Sequence, residues 1–216
     1  MTDDPTKASL GSKLGAGSLK LILASASPAR RALLRQAGVR FEILPSKARE
    51  LRGRGRTLAA TVLENALRKS RAAARLHPGR WVLAADTMIA FRGRIYGKPA
   101  SRKAAVELAR RLSGTTHELA TGVVLRLGGR ILKRAVVSRV RVRRLDDESL
   151  RRLFRRADPT TVAGGYRVSP RRDPLIERIE GSFTNVVGLP MEWVLPRLRA
   201  LRVASSLRRG RRPRRA

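Results

Sequence analysis

Apolar runs of strand length alternate with segments of helical period along most of the chain. The first unit is LysLeuIleLeuAla at residues 20 to 24, followed by a tight turn and a predicted helix from Pro28 to Ala37. Ser27 can cap this helix, Pro28 suits its first position, and Gly38 can end it in a left-handed conformation. The alternation predicts an α/β or mixed domain.

A central strand is predicted at residues 81 to 85, because TrpValLeuAlaAla is apolar throughout, as in a strand buried on both faces. This strand is predicted to end at Asp86. The other predicted elements are strands at 41 to 44 and 175 to 179, helices at 57 to 76, 101 to 112 and 191 to 201, a short helix from Asp146, a hairpin around 92 to 94, and a longer hairpin of 117 to 127 with 130 to 142.

Both ends of the chain differ in composition from the segment between them. Residues 1 to 18 are rich in Gly, Ser, Lys and Thr, and residues 205 to 216 hold six arginines. We predict flexible tails around one domain at 19 to 204. No apolar run approaches the roughly 20 residues that span a bilayer, and the amino terminus lacks a signal-peptide pattern. With no cysteine in the chain, we expect a cytoplasmic protein.

The charge balance predicts anionic partners. Lys and Arg total 49 against 16 Asp and Glu, a formal charge of +33. A nucleic-acid-binding protein and an enzyme acting on anionic small molecules both fit this excess. Two Trp, two Tyr and four Phe are too few for the aromatic platform on which single-stranded bases stack, but they do not exclude other nucleic-acid binding. Composition alone leaves the choice open.

The candidate chemistry narrows by elimination. The absence of cysteine excludes thiolate nucleophiles and cysteine-bound metals. His77 and His117 lie in no metal-ligand or nucleophile pattern, and neither a P-loop nor a GxGxxG motif is present. Asp86 follows a fully apolar strand, and open α/β sheets place ligands at the carboxyl ends of strands. We interpret Asp86 as functional, in preference to a turn cap or an arginine partner.

Several cations could bind phosphate. The segment SerAlaSerProAlaArgArg from Ser25 offers hydroxyls and the positive end of a helix beside Arg30. Lys69 and Lys98 are two of only eight lysines in an arginine-rich chain, which hints at specific anion contacts. On the residues alone, a solvated cation is the simpler interpretation of each.

Five segments, in order, resemble the Maf family of nucleotide pyrophosphatases, from Leu21 to about Leu201. The resemblance implies a single α/β domain of the Maf and inosine triphosphatase type, with a mixed, curved sheet flanked by helices and a central cleft. It implies hydrolysis of a nucleoside triphosphate to the monophosphate and pyrophosphate. The segments are LILASASPARRALLRQAGVRFEILPS from Leu21, AADT at 84 to 87, GKPAS at 97 to 101, LSGTTHELATGV at 112 to 123 and ERIEGSFTNVVGLP at 177 to 190.

The resemblance also implies roles for particular residues. Asp86 matches the essential aspartate, either a general base or a metal ligand, and Glu50 matches an acid that helps to hold Mg or Mn. The residues that match the phosphate-binding groups are Ser25, Arg30, Lys69 and Lys98.

The chain departs from the pattern of members that act on thymidine and uridine triphosphates. Ala29 replaces an arginine, Ser169 stands where a glutamine is usual, and Lys47 and Arg49 replace acids before Glu50. We therefore expect an altered base preference, including modified nucleotides. The alternative function is a nucleic-acid-binding or cell-division regulatory protein on the same fold, which binds nucleic acid weakly through its arginine-rich tail. A homodimer is also left open.

Overall fold

A seven-stranded mixed sheet organises the chain. The computed structural model describes residues 20–53, 55–155, 158–166, 168 and 173–210. The strands are β1 Leu21–Leu23, β2 Glu42–Ile43, β3 Trp81–Phe91, β4 Arg94–Tyr96, β5 Thr116–Leu127, β6 Arg130–Val142 and β7 Ile176–Glu180. The helices are α1 Pro28–Gln36, α2 Leu58–Leu76, α3 Arg102–Leu112, α4 Asp147–Arg155, α5 Phe183–Val187 and α6 Met191–Gly210, with short 3-10 turns at Pro159–Thr161 and Ala163–Gly165.

The strand order leaves a gap along one edge of β3. The order is β2-β1-β3-β5-β6-β7, with β4 also paired to β3. β1 is parallel to β2 and to β3, whereas the other pairs are antiparallel. The pairing of β1 with β3 stops at Leu83, and the pairing of β4 begins at Ile89. Between these two points, the edge of β3 is open to side chains from elsewhere.

This arrangement corrects the predicted position of Asp86. The strand does not end there but continues to Phe91, so Asp86 lies in its middle. The prediction failed because an acid inside an apolar run normally marks a strand end. The acid is nevertheless next to the carboxyl end of a strand, because β1 stops beside it.

Helices cover both faces of the sheet. On one face, α2 packs Val62 against Met88 and Ala120, and Ala73 against Val82. A Cβ built on Gly122 of β5 would lie 2.2 Å from the carbonyl oxygen of the same Val62. The close approach of α2 to β5 therefore requires glycine. The opposite face forms the largest cluster, with α1 and α6 contributing Leu33, Leu34, Met191, Trp193, Val194 and Leu198.

Local signals predicted most elements correctly. Ser27 caps α1, Pro28 begins it, and Gly38 follows it with a φ of 68°. Two predictions were incomplete: the short α5 was missed, and α6 continues past Leu201 to Gly210. The α/β class with a mixed sheet and flanking helices is confirmed.

The predicted tails fall mostly outside the described residues. The amino-terminal segment 1 to 18 lies there entirely, and the segment from 205 is described only as far as Gly210, where its backbone is helical. The domain boundaries remain predictions. No helix among the described residues is long and apolar enough to cross a membrane.

Candidate active site

Asp86 is a buried carboxylate held by α2. Its side chain lies on the α2 face of β3 and the residue is 5% exposed. Oδ1 lies 2.6 Å from Lys69 Nζ, and Oδ2 accepts a hydrogen bond of 2.8 Å from Asn65 Nδ2. Lys69 and Asn65 are four positions apart, so both lie on the same face of α2. The helix thus presents one cation and one amide to one acid.

Glu50 is the second acid at this site. It belongs to the irregular segment after β2, and its Oε1 lies 2.7 Å from Lys69 Nζ. Partial burial alone would raise the pKa of Glu50, but Lys69 holds that pKa below its ordinary value by charge and by hydrogen bond. The charges of Lys98 and Arg30 act in the same direction. Two carboxylates from distant parts of the sequence therefore converge on one ammonium group.

Arg30 fills the open edge of β3. Its Nε donates to the carbonyl of Gly188 at 2.8 Å, and NH1 donates to the Ala85 carbonyl at 2.9 Å and to Ser25 Oγ at 3.0 Å. NH2 donates to Thr87 Oγ1 at 2.9 Å. Four of the five N–H groups of a guanidinium are thus used within the protein. One N–H on NH2 has no acceptor among the described residues and remains for a ligand.

The charge of Arg30 is coupled to both acids. Burial lowers the pKa of Arg30, while Asp86 and Glu50 oppose that effect. The guanidinium therefore lies within electrostatic range of the acids even though its hydrogen bonds are to other groups. Ser25 beside it is 8% exposed and accepts from Arg30 and from the Ser27 amide. No described residue accepts the Ser25 hydroxyl hydrogen, so that hydrogen can be donated to an anion.

Two threonine hydroxyls, of Thr87 and Thr121, continue the hydrogen-bond chain from Arg30 on the other face of β3. Thr121 donates to the Asn185 carbonyl at 3.0 Å, and its Oγ1 lies 2.9 Å from Thr87 Oγ1. Because Thr121 has only one hydrogen to give, Thr87 is the donor between them and accepts from Arg30. These contacts connect the strand next to Asp86 with α5. Sequence reasoning missed them, because the partners are far apart along the chain.

Lys98 lies in the loop after β4 and is exposed. The preceding Gly97 carbonyl accepts from the Gly164 amide at 3.1 Å, which fixes the start of that loop. The effect of Lys98 on the pKa of Glu50 places its charge near the acids. The structure thus joins Ser25, Arg30, Glu50, Lys69 and Asp86 by contact or charge, with Lys98 at the exposed side.

The described residues contain no group of three or more His, Asp or Glu side chains that could hold a metal by themselves. His117 lies apart from the acids and forms a buried pair with Tyr166, with 2.6 Å between Nε2 and the phenolic oxygen. Burial lowers the pKa of His117 to about 4.

Comparison with known proteins shows which family the chain resembles. The family model described as Maf-like protein matches residues 20–201. A dTTP/UTP pyrophosphatase of Geobacter metallireducens is 38% identical over 184 residues, covering 84% of this chain and 96% of the relative. Proteins of the same name from Myxococcus xanthus and Nitratidesulfovibrio vulgaris are 40% and 42% identical, each over 79% of this chain and over 87% and 82% of their own lengths.

Proposed function

This chain belongs to the Maf family, and we propose that it is a nucleoside triphosphate pyrophosphatase, a hydrolase that releases the monophosphate and pyrophosphate. The observation that carries the proposal is the cluster at the open edge of β3. There, Lys69 lies between Asp86 and Glu50, and Arg30 is within electrostatic range of both. Buried cations beside acids suit a substrate that carries several negative charges and meets a metal ion.

The two acids fit a divalent metal. Their oxygens already lie 2.6 and 2.7 Å from one cationic nitrogen, so they converge on a single positive charge. Mg typically takes one or two protein carboxylates and completes its shell with water and substrate phosphates. We propose that Asp86 and Glu50 hold Mg or Mn in this way. When bound, the ion would neutralise phosphate charge and favour ionisation of a water molecule.

The cations and hydroxyls would bind the phosphates. Ser25 offers an O–H and Arg30 one N–H that have no acceptor among the described residues, and Arg30 also brings its charge. The positive end of the α1 dipole points to the same place, which favours an anion. Lys98 can reach a phosphate from the exposed side. Lys69 would exchange part of its contact with the acids for contact with the substrate.

Asp86 would act on the attacking water or on the metal. Each of its oxygens accepts one hydrogen bond and keeps a further lone pair, which can take a water proton or coordinate an ion. Asp86→Asn separates these roles. If the variant retains Mn binding with a non-hydrolysable nucleotide but loses turnover, Asp86 is the base. If it loses Mn binding as well, Asp86 is a ligand.

We propose a broader base preference than that of the dTTP/UTP pyrophosphatases. Ala29, which is half-buried at the start of α1, cannot donate the hydrogen bonds of an arginine. Ser169, which lies outside the described residues, has a short hydroxyl where the dTTP- and UTP-type pattern has the amide of a glutamine. A site that loses hydrogen-bonding groups loses discrimination.

A panel of ordinary and modified nucleoside triphosphates tests this proposal. The purified protein would be assayed for pyrophosphate with Mg and with Mn, beside Asp86→Asn. Metal-dependent release from several triphosphates, lost in the variant, is the expected result. Turnover of dTTP and UTP alone would refute the broader preference. Absence of release from every substrate would refute the proposed activity.

A further inference from the structure

The position of Glu50 depends on a segment without regular structure. Residues 44 to 53, between β2 and α2, belong to no helix or strand. Asp86, by contrast, is fixed in the middle of β3. A two-carboxylate site requires a constant separation between its acids. Something outside the strands must therefore hold the Glu50 segment against β3.

Asn65 makes that connection. It is 1% exposed, and its Oδ1 accepts from the Leu51 amide at 2.7 Å. Its Nδ2 donates to the Leu51 carbonyl at 3.1 Å and to Asp86 Oδ2 at 2.8 Å. One carboxamide thus hydrogen-bonds both to Leu51, the residue after Glu50, and to Asp86.

The orientation of this amide is determined by its partners. Asp86 offers only acceptors, so Nδ2 and not Oδ1 must face it. The Leu51 N–H then donates to Asn65 Oδ1, and the Leu51 carbonyl accepts the remaining Nδ2 hydrogen. Reversing the amide would place oxygen against the carboxylate and against that carbonyl. The amide therefore has one favourable orientation, which makes it a rigid link between the two acids.

We propose that Asn65 is a positioning residue that sets the separation of Glu50 and Asp86, and thereby the affinity of the site for a divalent ion. This inference rests on the proposed function, because the ion is the one that the two acids would hold. Without Asn65, the Glu50 segment must be ordered at the moment of binding. Ordering one residue costs enough to weaken binding by about tenfold.

Asn65→Leu tests the proposal, because leucine has the same side-chain shape and none of the hydrogen bonds. Thr61→Val is the matched control: Thr61 is also on α2, is fully buried and donates a hydrogen bond, to the Thr57 carbonyl. Mn binding would be measured by electron paramagnetic resonance with a non-hydrolysable triphosphate. We expect about tenfold weaker Mn binding in Asn65→Leu, a higher Mn requirement for turnover and little change in nucleotide KM at saturating Mn. Thr61→Val should match the wild type.

Other outcomes remain decisive. If Asn65→Leu and Thr61→Val have equal Mn affinity while the wild type hydrolyses triphosphates, the positioning role is wrong and the proposed function stands. If the wild type neither turns over nor binds Mn, the proposed function fails first. Should the leucine variant not fold, Asn65→Ala gives the same comparison. Hydrogen exchange at the Leu51 amide should be faster in either Asn65 variant, and unchanged exchange would also overturn the proposal.

Discussion

Replacing Lys69 by methionine would test the ion pair at the centre of the site. Methionine keeps much of the length of the side chain and removes its charge. The side chains of Lys69 and Asp86 are 11% and 6% exposed, so the variant leaves a buried carboxylate whose remaining donor among the described residues is Asn65. Removing one partner of a buried pair costs about 3 to 5 kcal/mol.

The second bridge adds little to this value. The Glu50 side chain is 51% exposed, and the median worth of an exposed pair is about 0 to 1 kcal/mol. We therefore expect Lys69→Met to lower the free energy of unfolding by about 4 kcal/mol. Urea unfolding at pH 7 measures this as a lower midpoint at an unchanged slope.

A double-mutant cycle with Asp86→Asn identifies the cause. The double variant carries an amide in place of the Asp86 carboxylate, so no buried charge is left without Lys69 and the variant should be more stable than Lys69→Met alone. A coupling free energy of about 2 to 3 kcal/mol is expected for groups in direct contact. The control is Lys103→Met, because Lys103 is an exposed lysine on α3. If Lys69→Met costs no more than this control, or if the two single losses simply add, the reasoning is refuted.

Three further outcomes can be tested, two drawn from the structure and one from the sequence. Gly122→Ala should lower the free energy of unfolding in urea by about 3 kcal/mol, because its Cβ would meet the Val62 carbonyl. Gly129→Ala is the control: its Cβ would have no atom within 4 Å, so it should be near neutral, and equal losses in the two variants would contradict the packing. Burial lowers the pKa of His117 from 6.5 to about 4. The unfolded chain therefore takes up the proton first, and the free energy of unfolding should fall by about 3 kcal/mol as pH drops from 6.5 to 4. His117→Gln should remove this pH dependence. If the dependence persists in the variant, other groups cause it. Deleting residues 211 to 216, which include four arginines, should leave triphosphate turnover unchanged. The slope of the logarithm of DNA affinity against the logarithm of salt concentration should become shallower by about 0.9 per lost phosphate contact. Collapse of turnover would place this segment in the active site.

Sequence reasoning succeeded where the determining forces are local. The cap at Ser27 and the left-handed Gly38 act within a few residues of α1, and both were predicted correctly. The five residues of α5 contain little more than one helical turn and give no periodic signal. The arginine-rich end of α6 lacks the apolar spacing that predicts a helix.

The sequence nominated the members of the candidate site but gave no indication of the contacts between them. Asp86 was proposed because an acid following an apolar run has no local structural task. Its stabilising partner Lys69 lies 17 residues away along the chain, so the strand was predicted to end where it in fact continues. Asn65 gave no signal at all, because an amide in the middle of a helix is unremarkable until its tertiary contacts are known.

The identity of the reaction products tests the central claim most directly. Phosphorus-31 NMR of a nucleoside triphosphate incubated with the wild-type protein and Mg or Mn distinguishes the bond that is cleaved. The proposed function predicts pyrophosphate and the monophosphate in equal amounts, with no orthophosphate or diphosphate, and no reaction above background with Asp86→Asn. Orthophosphate with nucleoside diphosphate as the products, or full activity in Asp86→Asn, would contradict the account.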